Sequence, residues 1–177
     1  VGFIGGADMP VIRDYQKGFQ HGVRYADPDV EVIARYVGDH YDPAKGKQTA
    51  YMIYKMGADV IFQAAGPTGL GVLEAAETYG FYAIGVDTDQ GYLHPGSVVS
   101  SMLKRVDVAV YKVVEATIKD GVSEDVYVFD VANGGIGLAR NKYYEEIVPS
   151  VVKEKVDEVE QKIANGEIEV ESYLDYE

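Results

Sequence analysis

Short apolar runs that end in Gly, Asp or Lys alternate along this chain with stretches of helical periodicity. VGFIGG (1–6) reads as a short buried strand. Pro10, just after Asp8-Met9, suits the first turn of a helix, where a missing N–H costs nothing. Ile12, Tyr15, Phe19 and Val23 then recur on one face over 10–25, until Asp27-Pro28-Asp29 breaks the pattern. VEVIARYV (30–37) predicts a second strand. Asp42 can cap and Pro43 can open a helix that runs to about 56 and stops at Gly57. The next strand, 58–64, is almost wholly apolar, as expected of one covered on both faces. A helix from near Pro67 turns Leu70, Leu73 and Ala76 toward the core.

The alternation continues with a strand over 81–86 and an extended segment over 97–103. A helix from about 105 to 120 is predicted to bury Val106, Val110, Val113 and Val114. VYVFDV (126–131) reads as a further strand, and ANGGIGLA as a glycine-rich turn. A long amphipathic helix over about 147–165 carries Val152, Val156, Val159 and Ile163 as its buried stripe, and IEVESYL closes the chain as an extended tail. Strand, helix, strand, helix in regular succession predicts right-handed βαβ units. The fold class is α/β, with an open, mainly parallel sheet flanked by helices. In such a sheet the carboxyl ends of the strands share the edge where small molecules bind, so Gly66, Asp87 and Lys104 are predicted to be neighbours.

Composition narrows the function. At 177 residues, 47% hydrophobic and 25% charged, the chain fits one well-packed globular domain. Its net charge is −13, and its longest basic cluster is the pair Lys104-Arg105, so a surface that tracks nucleic-acid phosphates is not expected. The absence of cysteine excludes disulfides, thiolate metal sites and cysteine nucleophiles. No apolar run approaches the ~20 residues that span a bilayer. The chain begins at Val1 inside a strand pattern with no leader, which suggests a processed product or part of a longer protein.

Several residues could carry chemistry. The glycines of GFIGG have no GxGxxG pattern and no Lys-Ser/Thr behind them, so a tight strand-to-helix turn is the simpler reading. Asp87 and Asp89 flank Thr88 at a strand end. They could hold a metal, act as acid and base, cap a loop, or accept the paired hydroxyls of a sugar, since both oxygens of a carboxylate take hydrogen bonds. Lys104 is either a solvated lysine before a helix or a second contact to the same ligand. His40 and Tyr41 end the second strand on that edge, where an aromatic ring can stack on a flat ligand or simply pack. His21 and His94 read as surface positions. There is no GxSxG elbow and no Ser/His/Asp arrangement, so neither enzymatic activity nor a cofactor is expected.

GFIGGADMPVIRDYQKGFQHGV, YVGDHYDPAKGK, GADVIFQAAGPTGLGVLEAA, AIGVDTDQ and SSMLKRVDVAVY, in that order and spacing, together with the late GGIGLA and IANGEIEV, resemble the basic membrane protein family. These are the purine nucleoside receptor type of substrate-binding lipoproteins that serve ATP-binding-cassette importers. The resemblance implies one lobe of a type I periplasmic-binding-protein fold spanning 1–177, with hinge-crossing segments within 105–177 and a first lobe ahead of Val1. It implies an extracytoplasmic protein that delivers a purine nucleoside to a membrane permease. By motif, Asp87 would accept ribose hydroxyls and Lys104 would be the second polar contact. Ala65 and Gly66 would permit close approach, and His40 or Tyr41 would stack on the base. Arg13 falls where sugar-binding relatives place a ligand-binding arginine. The alternative use of the same fold is a ligand-sensing domain of a regulator or receptor.

Overall fold

The computed structural model describes residues 1–122 and 126–174. Strands β1 (Gly2–Gly5), β2 (Ile33–Tyr36), β3 (Val60–Ala64), β4 (Tyr82–Asp87), β5 (Val98–Lys104) and β6 (Ile136–Leu138) form one sheet in the order β2-β1-β3-β4-β5-β6. The first five are parallel, and β6 joins antiparallel through Met102↔Leu138, Leu103↔Gly137 and Lys104↔Ile136. Strand order reverses between β1 and β3. That is the switch point beside which open α/β sheets hold ligands.

The two faces of the sheet fill by the period-two alternation of its strands. Ile4 and Ile61 point into one core with Ile53, Val72, Leu73 and Phe81, under the helices α2 (Pro43–Lys55) and α3 (Thr68–Tyr79). Phe3 and Phe62 point into the other, against Ile12, Tyr15 and Phe19 of α1 (Pro10–Ala26). The rings of Phe3, Phe19 and Phe62 lie 5.4–6.3 Å apart, centre to centre. Local chemistry starts the helices where the sequence predicts. Pro10 and Pro43 occupy first turns, and the Asp42 carboxylate accepts the Lys45 N–H at 3.0 Å. Helices α2 and α3 touch at backbone distance because of two glycines. A Cβ on Gly46 would stand 2.1 Å from the Thr68 carbonyl oxygen, and one on Gly71 would stand 1.8 Å from that of Pro43.

The second half departs from expectation. Residues 126–131 are not a strand: Val126 and Val128 are 89% and 73% exposed, and the segment adds no strand to the sheet, hydrogen-bonding to it where the Asp130 carbonyl accepts the Ile136 N–H at 3.1 Å. Asp130 and Asn133 exchange backbone-to-side-chain hydrogen bonds at 2.9 and 3.0 Å, which fixes a turn. The sixth strand comes instead from inside the predicted glycine-rich turn. The helix predicted over about 147–165 is α6 (Ser150–Ala164), and a short helix that the pattern did not predict, α5 (Lys142–Ile147), precedes it. Pro149 divides them, because a proline interior to one helix would remove a hydrogen bond and clash with the preceding turn.

Several predicted core positions are exposed. Leu70 faces solvent while Leu73 and Ala76 are buried. Helix α4 (Val106–Asp120) buries no residue: Val106, Val110 and Val114 are more than half exposed, and Val113 is half-buried. In α6 the stripe of Val156, Val159 and Ile163 is only half-buried, and Val152 is exposed. The tail after α6 is not a strand. It is strapped to α1, where Asp14 Oδ1 accepts the Ser172 hydroxyl and the Tyr173 N–H, each at 2.7 Å, and His21 Nδ1 accepts the Glu171 N–H at 3.0 Å. His21 and His94 are therefore half-buried rather than free surface residues, with His94 Nδ1 2.8 Å from Glu77.

Candidate functional site

The carboxyl ends of β1 and β3 meet at backbone level. Gly6 N–H donates to the Ala64 carbonyl at 3.1 Å. The imidazole of His40 lies over Gly6 so closely that a Cβ there would come within 2.3–2.8 Å of the ring. The same ring borders Gly66, whose φ of +56° is left-handed backbone that glycine adopts without cost. His40 is held from behind by Thr68, a fully buried residue at the start of α3. Thr68 N–H donates to the His40 carbonyl, its hydroxyl donates to the Asp39 carbonyl, and that hydroxyl accepts the Asp42 N–H, all at 2.9 Å. The loop 39–42 is thereby fastened across the switch point. Tyr41 leaves it and is 82% exposed. Ala65 is fully buried in the core, with its N–H donated to the Gln63 side-chain oxygen at 3.1 Å, so only its backbone borders the edge.

Asp87 and Lys104 end the neighbouring strands β4 and β5. Their charges meet at 2.9 Å from Nζ to Oδ1, with side chains 45% and 47% exposed respectively. Oδ1 is sealed from solvent with the Lys104 ammonium as its neighbour, an ion pair whose angles fall outside those of a well-aligned hydrogen bond. Asp87 also has φ +67°, the one non-glycine with positive φ among the described residues. Thr88 N–H donates back to the Val86 carbonyl at 2.8 Å, closing a three-residue turn with Asp87 at its apex. Left-handed backbone at a non-glycine residue carries strain of order ~1–3 kcal/mol and persists only where the surroundings impose it.

The third member of this cluster is Tyr15 of α1. Burial pushes the Tyr15 hydroxyl above the ordinary tyrosine range and the Lys104 ammonium pulls it back. The Lys104 ammonium is itself raised, first by Asp87, with burial opposing and Tyr15 adding. Sequence periodicity placed Tyr15 on the core face of α1, which is correct for its ring. Nothing in that periodicity separates a core tyrosine from one whose hydroxyl reaches a strand end.

Arg13 lies apart from this cluster. Its guanidinium pairs with both oxygens of Asp8 and donates to the Tyr173 hydroxyl at 2.8 Å. It lines a separate shallow hollow with Asp8, Gln16, Lys17, Tyr36 and Tyr173, a lining that includes neither Asp87, Lys104 nor His40. Asp89 is also committed elsewhere: its Oδ1 accepts the Gly91 N–H at 2.9 Å and the Asn141 side-chain amide at 2.7 Å. Asn141 caps α5 through the Tyr143 and Tyr144 N–H groups, so Asp89 ties the loop after β4 to that helix. Among the described residues no group of three or more His, Cys, Asp or Glu side chains could hold a metal ion.

Against known proteins, residues 1–173 match a family described as ABC transporter substrate-binding protein PnrA-like. The chain is 36% identical to basic membrane protein D of Borreliella burgdorferi over 178 residues, covering 96% of this chain and 51% of that protein. It is 32% identical to basic membrane protein A of Borreliella afzelii, covering 95% and 52%. The chain thus spans about half the length of the curated relatives it matches. Among solved structures, a solute-binding protein of an ABC transporter system from Aeropyrum pernix superposes with a TM-score of 0.84 at 26% identity, over 96% of this chain and 56% of that one. A transcriptional activator of the comK gene from Bacillus halodurans superposes with a TM-score of 0.81 at 24% identity, over 93% and 56%, a likeness of fold alone. Substrate-binding proteins of ABC importers are not enzymes and act outside the cytoplasm. No described helix is long and apolar enough to cross a membrane. With nearly its whole length matched by the family's model, this chain belongs to the PnrA-like substrate-binding proteins of ABC transporters.

Proposed function

We propose that the chain is mainly the second lobe of an extracytoplasmic binding protein that captures a purine nucleoside and delivers it to an ABC permease, anchored to the membrane as a lipoprotein. The observation that carries this is Asp87: a carboxylate held on strained backbone at a strand end, beside a cation, with its side chain 45% exposed. A vicinal diol supplies two hydroxyl donors to a carboxylate. Lys104, whose ammonium stands 2.9 Å from that carboxylate, is the second polar contact to the sugar. The flat face over Gly6 and Gly66 takes the base, with His40 as the stacking ring rather than the exposed Tyr41, and Gly66 and the Ala65 backbone allow close approach. Arg13, already paired to Asp8 and Tyr173, shapes the rim instead of touching the ligand.

The region within 105–177 that packs worst in this lobe is the hinge-crossing part. The exposed valines of α4 and the apolar segment 126–131, which adds no strand to this sheet, are surfaces that a further sheet would cover, and relatives have about as much chain again to supply one. We assign both segments to the first lobe. That lobe also closes the cleft, so ligand affinity depends on it.

Titration calorimetry of the complete gene product carrying this chain, with adenosine, guanosine and inosine, tests the reading. Binding of one of them, lost in Asp87→Ala, is expected; no binding by any contradicts it. The regulator reading, which the likeness in fold to the comK activator keeps in view, is separated by what precedes this chain in the gene. A lipoprotein signal supports import, and a helix-turn-helix supports regulation.

A further inference from the structure

We infer that Gln90, held by Gln63 and Ser101, is the positioning residue that sets Asp87 in its strained conformation and so fixes the geometry of the ligand's polar contacts. The inference rests on the reading that Asp87 meets the ligand. Strands β3 and β4 pair only from Val60↔Tyr82 to Phe62↔Ile84. Beyond that point Val86 finds its acceptor in a side chain: Gln90 folds back from the loop, and its Oε1 accepts the Val86 N–H at 3.0 Å. The same oxygen accepts Gln63 Nε2 from β3 at 2.9 Å. The Gln90 N–H donates to the hydroxyl of Ser101 in β5 at 3.1 Å, and Gln63 Oε1 accepts the Ala65 N–H at 3.1 Å.

One residue, through its side-chain oxygen and its backbone N–H, thus ties together the ends of three strands, those that lead to Gly66, Asp87 and Lys104. Gln63 and Ser101 are both fully buried. A buried amide or hydroxyl is costly unless bonded, and each of these is bonded into the same bridge. Residues 86–90 are closed twice, by the Thr88-to-Val86 backbone bond and by the Gln90-to-Val86 bond, with Asp87 inside the double loop. Two glycines make the room. A Cβ on Gly85 would stand 2.6 Å from Gln90 Oε1 and 2.5 Å from the Ser101 hydroxyl, and one on Gly69 would stand 2.0 Å from Gln63 Oε1. Such over-determination is what a left-handed non-glycine residue needs in order to persist.

The test uses the complete gene product carrying this chain, with Gln90→Leu, Gln63→Leu, the double variant and Ser101→Ala. Two quantities are read: the nucleoside dissociation constant, and backbone amide hydrogen exchange without ligand. Gln90→Leu is expected to weaken binding by about 10- to 100-fold, as removal of a buried polar partner does. The double variant should be no weaker than the worse single one, because the two act as a unit. Exchange at Val86 and Thr88 should rise by at least about tenfold in Gln90→Leu, with Ile4 and Phe62 unchanged, since only a local opening is released. Binding within twofold of wild type, or additive losses, overturns the inference. If Gln90→Leu does not fold, Ser101→Ala and the wild type decide: Val86 exchanging at the open-chain rate in the wild type also overturns it. If the wild type binds none of the nucleosides, the transport reading falls, and exchange at Val86 still settles the bridge.

Discussion

Replacing Asp87 separates backbone strain from ligand contact. Gly, Asn and Ala at this position all remove the charge that faces Lys104, so differences in stability among them report the backbone alone. At φ +67° a residue with a Cβ pays roughly 1–2 kcal/mol that glycine does not. Glycine in turn gives back about 0.4–1 kcal/mol through the greater freedom of its unfolded chain. Asp87→Ala should therefore be less stable than Asp87→Gly by about 1 kcal/mol, with Asp87→Asn between them because Asn tolerates this region. The lost ion pair is half-exposed on both sides and contributes only about 0–1 kcal/mol, so Asp87→Gly should fall close to wild type. Affinity should follow a different order. All three variants should bind nucleoside more weakly by about 2–5 kcal/mol, roughly 30-fold to several thousand-fold. Urea unfolding reads the first series and titration calorimetry the second. An alanine variant as stable as the glycine one would refute the strained turn, and a glycine variant that keeps its affinity would remove Asp87 from the site.

Other positions make independent predictions. Gly71→Ala should destabilise by at least ~2 kcal/mol in urea unfolding although alanine is the better helix former by ~1 kcal/mol, because its Cβ would stand 1.8 Å from a backbone oxygen; a stabilised variant would show that α2 and α3 can separate freely. Asn141→Ala removes the α5 cap and the amide donated to Asp89, and should lower stability by about 1–2 kcal/mol. Lys104 has a pKa raised by Asp87 above the ordinary 10.5, so its contribution to stability is complete below that value and is lost as pH rises through the raised one. Wild type and Lys104→Met should therefore differ by a constant amount between about pH 6 and 9 and converge only in stronger alkali; a difference that closes near neutrality would contradict the assigned pairing.

The first hundred residues were largely legible because local and global signals agree there. Pro10, Asp42-Pro43 and Gly57 sit at real helix boundaries, and the apolar run at 58–64 is a strand covered on both faces. Past Lys104 the same logic misled for a physical reason: periodicity records where apolar side chains are, and says nothing of what covers them. Val106, Val110 and Val114 do form a stripe, but among the described residues none covers it enough to bury it. Residues 126–131 have strand alternation without a sheet to join, while three residues of the glycine-rich GGIGLA pair with β5 because the turn at Asp130 and Asn133 delivers them there. In the site, strand ends predicted the meeting of Asp87 and Lys104. The Tyr15 hydroxyl, the left-handed backbone at Asp87 and the glutamine bridge depend on loop conformation, which residue spacing does not encode.

The most direct measurement is a crystal structure of the complete gene product with a bound purine nucleoside. The account predicts ribose hydroxyls within about 2.5–3.0 Å of the Asp87 carboxylate, Lys104 Nζ on the same sugar, and the base against His40 over Gly6 and Gly66. A nucleoside bound elsewhere, with Asp87 and Lys104 paired only to each other, would contradict it.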